Sequence, residues 1–273
     1  MQAKRVTARN AAFQQWQALL TNRSKRQRSG SFLVHGVRPI SLALSSGWPL
    51  QSLLHNADAA LSSWARDSLT DFAGEQYAVS AELMAELGEK EDGTPELIAV
   101  ASLPSDDLSR LWPDSLGVVF DRPTSPGNIG TLIRSADAFG AGYVLVTGHA
   151  ADPYDPRAVR ASAGSIFGPP IVRVPSHAPV LSWLSASDER PLLVATDETG
   201  DVDIAEADLR GPVLLLIGNE TAGLSAAWRE AADLTVRIPI GGLASSLNAA
   251  TAGTVALYEV ARQRGNYLRT QTF

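Results

Sequence analysis

LGVVFDRPTSPGNIGTLIRSADAFGA (Leu116–Ala141) reads as a strand, a turn and a helix in direct succession. Leu116 to Phe120 is a short apolar run rich in valine, the pattern of a parallel strand covered on both faces. Pro123, Pro126, Gly127 and Asn128 are turn chemistry, and Ile129, Leu132, Ile133, Ala136 and Phe139 then recur at helical spacing. A glycine-bearing turn between a strand and a helix invites comparison with nucleotide loops. The spacing excludes both common ones: no third glycine completes G-x-G-x-x-G, and no Lys-Ser or Lys-Thr pair completes a P-loop. Asp121, Asn128, Arg134 and Asp137 are the polar residues left over. In isolation, Asn128 can be a helix cap and Arg134 a solvated face residue.

Outward from this unit, apolar runs at Tyr143 to Val146, Ile171 to Val174, Leu192 to Ala195, Val213 to Ile217 and Thr235 to Ile238 alternate with helical patterns. That alternation implies an α/β domain with a mainly parallel sheet, and sites in such sheets lie in loops at the carboxyl ends of strands. Ahead of it, Ser102 to Ser115 is polar, carries two prolines and has no strong period, so residues 104–115 are read as a linker. Residues 1–103 alternate shorter elements. A helix is expected over Arg9 to Arg23, with Phe13, Trp16, Leu19 and Leu20 on one face. Strands follow at Phe32 to Val34, Leu50 to Leu54, Tyr77 to Val79 and Leu97 to Val100, with helices at Val37 to Ser46 and Asp58 to Leu69. The expected division is a small α/β domain over 1–103 and a larger one over 116–273.

The 273 residues are 45% hydrophobic and contain no cysteine, which excludes disulfides, thiolate chemistry and a Cys-ligated metal site. His35, His55, His149 and His177 are scattered, so no metal is expected. No apolar run reaches the roughly 20 residues of a membrane span, and the expected location is the cytoplasm. The net charge of −6 argues against a nucleic-acid partner until its distribution is seen. Residues 1–40 hold eight basic side chains and no acidic one, while the other 233 carry 15 basic and 29 acidic, a balance of −14. Such asymmetry points to nucleic-acid contact through the basic end, with Arg23, Lys25, Arg26, Arg28 and Arg38 as candidates.

Two more strand ends carry unusual polar chemistry. LLLIGNETAGLS (Leu214–Ser225) runs an apolar strand into Gly218, Asn219 and Glu220, then Gly223. RIPIGGLASSLNAATAGTVALYEVARQR (Arg237–Arg264) leaves a strand at Pro239, crosses a loop of small residues and enters a long helix after Ser246, Leu247 and Asn248. Singly, the glycines can be tight turns, and Ser246 and Glu220 helix caps, the latter for a helix starting near Ser225.

Together the three segments resemble the motifs of the SpoU/TrmH family of RNA ribose 2′-O-methyltransferases, in the SPOUT superfamily. The resemblance covers about residues 115–264, and Arg160 to Ser165 looks like a further family segment. It is nearest the avilamycin-resistance branch, which methylates a uridine ribose in 23S rRNA. The resemblance implies an L30e-like RNA-binding domain in front and a SPOUT domain with a deep trefoil knot behind, paired as a homodimer. It implies S-adenosylmethionine as cofactor, contacted by Gly218, Asn219, Ile238 and Leu247. Asn128, Glu220, Ser246 and Asn248 would arrange the catalytic pocket, and Arg134 would act on the 2′-hydroxyl or its phosphate. Thr221 and Ile240 depart from the family pattern without removing a catalytic group. The small residues Ala249, Ala250, Ala252 and Gly253 are compatible with close packing in a dimer. A tRNA methyltransferase and a non-catalytic RNA-binding assembly factor on the same fold stay open as alternatives, whereas a nicotinamide oxidoreductase lacks its glycine fingerprint.

Overall fold

The strands expected from the apolar runs are present in a computed structural model, which describes residues 3–88, 93–187 and 189–265. The chain forms two compact units, Met1–Pro104 with Tyr154–Phe167, and Ser105–Pro153 with Gly168–Phe273.

The first unit runs β1 (Lys4–Val6), α1 (Ala11–Thr21), α2 (Arg23–Ser29), β2 (Ser31–His35), α3 (Val37–Ser45), β3 (Leu50–Asn56), α4 (Ser63–Asp71), β4 (Glu75–Val79), α5 (Ala81–Leu87) and β5 (Leu97–Ser102). Its sheet has the order β1-β4-β3-β5-β2, parallel on the β1 side and antiparallel around β5. Phe13, Trp16, Leu19 and Leu20 do form the buried face of α1. That helix stops at Thr21, because Asn22 is extended and its side chain accepts from the Lys25 N–H, capping a second helix. The basic RSKRQRS run is therefore α2, with Gly30 closing it in the left-handed region at φ 61°.

α2 corrects one RNA candidate. Arg26 is only 2% exposed, and its Nη1 donates to the Leu19 carbonyl at 2.6 Å and more weakly to that of Leu20. Both carbonyls belong to the last turn of α1, where no intrahelical partner exists. Asp155 lies 3.8 Å from the guanidinium. Arg26 is thus a buried clamp, and it cannot face RNA phosphates.

Asp155 belongs to the excursion Tyr154–Phe167, which carries α7 (Pro156–Ser162). Phe32 on β2 meets Tyr154 at 4.9 Å and Phe167 at 6.4 Å between ring centroids, and Trp48 meets Phe167 edge-on at 5.1 Å. The aromatic set explains why this stretch gathers with the first unit. His35, at the end of β2, is pushed down to about 4, first by burial and further by Arg160, against an opposing bond to the Leu87 carbonyl. It is neutral at pH 7 and serves packing.

The second unit contains β6 (Gly117–Asp121), α6 (Pro126–Ala138), β7 (Tyr143–Thr147), β8 (Ile171–Val174), α8 (His177–Ser185), β9 (Leu192–Thr196), β10 (Val202–Asp203), β11 (Val213–Ile217), α9 (Ala226–Ala231), β12 (Leu234–Arg237) and α10 (Ala249–Gln263). All pairings in its seven-stranded sheet, β10-β12-β9-β11-β6-β7-β8, are parallel. β6, β7 and β11 are buried at every position, as strands covered on both faces must be. Each fully buried Val, Leu or Ile there contributes roughly 1.5–3 kcal/mol relative to exposure. From β6 the chain builds toward β8, then returns to the opposite side at β9. This reversal places the switch point, where α/β sheets bind ligands, at the carboxyl ends of β6, β11 and β9.

The small residues of α10 also find their partners here. Gly253 is buried, and a Cβ on it would lie 2.6 Å from Leu132 Cδ1 of α6. Ala250 is fully buried, and the hydroxyls of Ser135 and Thr254 meet at 2.7 Å between the same helices. Ala250 and Gly253 are therefore committed to packing within one chain and say nothing about a second copy.

Candidate active site

β6 and β11 run side by side, and the loops after them are joined by one carboxylate. Glu220 Oε1 accepts from the Ser125 N–H at 3.1 Å and Asn128 Nδ2 at 3.0 Å, while Oε2 accepts from the N–H and hydroxyl of Thr124, each at 3.0 Å. Burial pushes the Glu220 carboxyl up, but these donors outweigh it and hold the group below its ordinary value. Glu220 thus serves the start of α6, and the cap of that helix is Ser125, whose side chain accepts from the Asn128 N–H. Asn128 is freed from capping to bridge instead.

The third loop joins through Asn248. Its Oδ1 caps α10 by accepting from the Ala250 and Thr251 N–H groups, and its Nδ2 donates to Asn128 Oδ1 at 3.2 Å. The cap of the final helix is consequently Asn248 and not Ser246. Asn248, Asn128 and Glu220 form one hydrogen-bonded chain across the three segments singled out in the sequence.

Beside this chain lies a cavity of about 410 Å³. Gly218, Asn219, Ile238 and Leu247 all line it, together with Glu220 and Ser246. Asn128, Arg134 and Asn248 do not. Arg134 is exposed on α6 and has no hydrogen bond or ion pair among the described residues. The cavity also takes in Thr196, Asp197 and Glu198 from the end of β9, which were not singled out in the sequence. The signal was available: β9 is another apolar strand that ends in charged residues. The Thr199 hydroxyl and N–H hold the Asp197 carboxyl below its ordinary range.

The lining fits a nucleoside-bearing cation. Ile217, Ile238 and Leu247 offer apolar surface, Gly218 to Gly223 offer backbone polar groups, and Asp197 and Glu198 offer acceptors for hydroxyl or ammonium groups. Among the described residues no cluster of three or more His, Cys, Asp or Glu could hold a metal ion, and no helix is long and apolar enough to cross a membrane.

Residues 115–258 match the SpoU rRNA Methylase family. The chain belongs to this family. Residues 10–99 match the SpoU L30e-like domain. A 23S rRNA (uridine(2479)-2′-O)-methyltransferase of Streptomyces viridochromogenes is 57% identical over 267 residues, covering 96% of this chain and 93% of its own. The crystal structure of AviRb, a SpoU methyltransferase from that organism in complex with S-adenosylmethionine, superposes with a TM-score of 0.90 over 94% of this chain and 98% of its own, at 57% identity. An S-adenosylmethionine-bound rRNA methyltransferase from Sinorhizobium meliloti gives 0.85 over 96% and 98%, at 30% identity. As a SpoU methylase the protein is an enzyme whose methyl donor is S-adenosylmethionine, and the cavity lined by Gly218, Ile238 and Leu247 has the chemistry to hold it.

Proposed function

We propose that this SpoU methylase methylates the ribose 2′-oxygen of a uridine in 23S rRNA. The observation that carries the proposal is the Asn248–Asn128–Glu220 chain, which draws three motif loops together at the rim of a cavity with the chemistry for the methyl donor. Similarity over nearly the whole length to a uridine-2′-O-methyltransferase supports the choice of base and RNA.

When bound, S-adenosylmethionine supplies an electrophilic methyl group on a sulfonium sulfur. The residues around it orient and hold. Glu220 is a poor base, because both its oxygens already accept two hydrogen bonds and its pKa is depressed. Its part is to fix Asn128 and the start of α6. Ser246 is exposed on the cavity wall, open to the incoming ribose. Arg134 holds the adjoining phosphate and stabilises the developing alkoxide while water takes the proton, since a guanidinium stays charged. Pre-orientation of this kind is worth roughly 7–11 kcal/mol at best, which suits a site without a conventional base.

The modules proposed for these tasks are residues 1–103 for RNA and 116–273 for transfer, joined through 104–115. A homodimer and a knotted second domain belong to the same proposal. For a partner, α10 offers the half-exposed Tyr258, edge-on to Phe139 at 5.9 Å, in place of its buried small residues.

The deciding experiment incubates the protein with tritiated S-adenosylmethionine and, separately, unmodified 23S rRNA, 16S rRNA and bulk tRNA. Label on a uridine 2′-oxygen of 23S rRNA is the expected result. Label on tRNA overturns the substrate, and no label on any RNA, with cofactor bound, leaves a binding factor.

Lys25, Arg28 and Arg38 are exposed and Arg23 is half-buried, so the first unit keeps a basic surface without Arg26. Lys25→Ala with Arg28→Ala should flatten the salt dependence of RNA binding, by about 0.7–0.9 in slope for each phosphate no longer neutralised. Arg26→Ala should instead lower stability by about 1–3 kcal/mol, since it leaves the Leu19 and Leu20 carbonyls without their donor while Asp155 keeps Arg157. An unchanged slope in the double variant removes the pair from the RNA footprint.

A further inference from the structure

Arg122 stands between the first motif's Asp121 and Pro123, outside both the cavity lining and the Asn248–Asn128–Glu220 chain. It is one of two non-glycine residues at positive φ among those described, at 52°. A side chain in the left-handed region is strained by roughly 1–2 kcal/mol and persists where its surroundings over-determine it.

Those surroundings are the cofactor loop. The Arg122 carbonyl accepts from Asn219 Nδ2 at 2.6 Å, and its Nη2 donates to the Gly223 carbonyl at 3.0 Å. One residue therefore holds the loop Gly218–Gly223 at both ends, and every residue of that loop lines the cavity. The loop is closed on itself by Asn219 N–H to Gly223 O at 3.0 Å and Gly223 N–H to Asn219 O at 3.1 Å. Behind the clasp, Arg122 Nε donates to Asp121 Oδ2 at 3.0 Å, and the same carboxylate accepts from the Ser225 N–H and the Thr147 hydroxyl. Asp121 is buried at 3% exposure, so this anchor is rigid. The aliphatic stem of Arg122 crosses Gly148, where a Cβ would come within 2.7 Å of its Cγ.

We propose that Arg122 is a positioning residue for cofactor binding, a clasp that sets the Gly218–Gly223 loop in its binding shape before S-adenosylmethionine arrives. The left-handed backbone turns its carbonyl toward Asn219, and the forked guanidinium reaches Asp121 and Gly223 together. Lysine, a single point charge, cannot make both bonds.

The inference rests on the cavity being the S-adenosylmethionine site, which calorimetric binding to the wild-type protein tests separately. Arg122→Gly is the informative variant. It keeps positive φ without strain and keeps the carbonyl to Asn219, so the guanidinium bonds are lost together with the stem over Gly148, and Arg122→Lys, which keeps most of that stem, isolates the bonds. The expected result is a Kd for S-adenosylmethionine and for S-adenosylhomocysteine raised by about tenfold or more, the loss of a hydrogen bond to a charged group. The cofactor KM rises in step, kcat at saturating cofactor stays within about twofold, and the ligand-free melting temperature moves by less than about 4 °C. Arg122→Lys shares the binding defect. An unchanged Kd in Arg122→Gly, a lysine variant equal to wild type, or a Kd that rises only where the melting temperature falls by more than that overturns the clasp.

Discussion

An Arg134→Ala variant is expected to bind S-adenosylmethionine within about twofold of wild type and to lose roughly 10²–10³ in kcat, the range seen when one donor to a developing oxyanion is removed. Binding survives because Arg134 is outside the cavity lining and bonded to nothing among the described residues. It lies six residues beyond Asn128 on α6, about 9 Å along the axis. Its solvent-facing neighbours are Thr131 and Asp137. Under the proposed function its target is the RNA phosphate beside the reacting ribose. Turnover falls under the proposed role, in which the motifs offer no histidine or cysteine as base and the charged fork stabilises the alkoxide. Arg134→Lys keeps the charge without the planar geometry and should recover only part of the rate. Lost cofactor binding in a folded Arg134→Ala protein, or turnover equal to wild type, would sink this role.

The part of the site that is legible in the sequence is the part written in strand ends. Apolar runs of four or five residues passing directly into Gly, Asn and Glu mark loops at the carboxyl edge of a parallel sheet, and Gly218, Asn219, Ile238 and Leu247 do share one cavity. The helix that Glu220 serves is legible only in three dimensions, because the groups it bonds lie 92 to 96 positions away. Caps read along the chain are displaced by a few residues, because several polar side chains at each helix start compete for one place and Asn128 is drawn off to Glu220. Along the chain Asn128 and Ser246 have the look of caps, whereas Ser125 and Asn248 hold those places in the folded protein.

Charge is the weakest guide. Composition ranks Arg26 with Lys25 and Arg28, whereas α2 turns it inward to the open carbonyls of α1. The excursion Tyr154–Phe167 leaves no mark either, since its bond to the first unit is an aromatic set spread over 136 residues of chain. Sequence periodicity reports which face of an element is buried, and not which element buries it.

Gly218→Ala is expected to have the second large effect, for a reason the sequence only half supplies. A glycine at a strand end allows close approach to a ligand. In the structure the nearer constraint is the chain itself: a Cβ at 218 would lie 2.4 Å from Gly223 C and Leu224 N and 2.8 Å from Gly223 Cα. All three are backbone atoms of the returning limb of the loop, so no side-chain rotation relieves the overlap. The φ of Gly218 is not in the left-handed region, which leaves steric overlap as the cause. Overpacking of this kind is worth about 1–3 kcal/mol or more, and the loop cannot shift without breaking the Asn219–Gly223 pair, the Arg122 clasp or the bonds to Glu220. The variant should therefore weaken S-adenosylmethionine binding by about a hundredfold, equivalent to some 2.8 kcal/mol. Its melting temperature should drop by several degrees. Gly241→Ala and Gly242→Ala provide the contrast, because nothing lies within 4 Å of a Cβ at either position, and both should bind as wild type. Calorimetry on the three variants separates the explanations. If Gly218→Ala binds normally, the loop is softer than its hydrogen bonds imply, and if Gly241→Ala fails equally, glycine serves ligand approach along the whole rim and the internal overlap at 218 is not what matters.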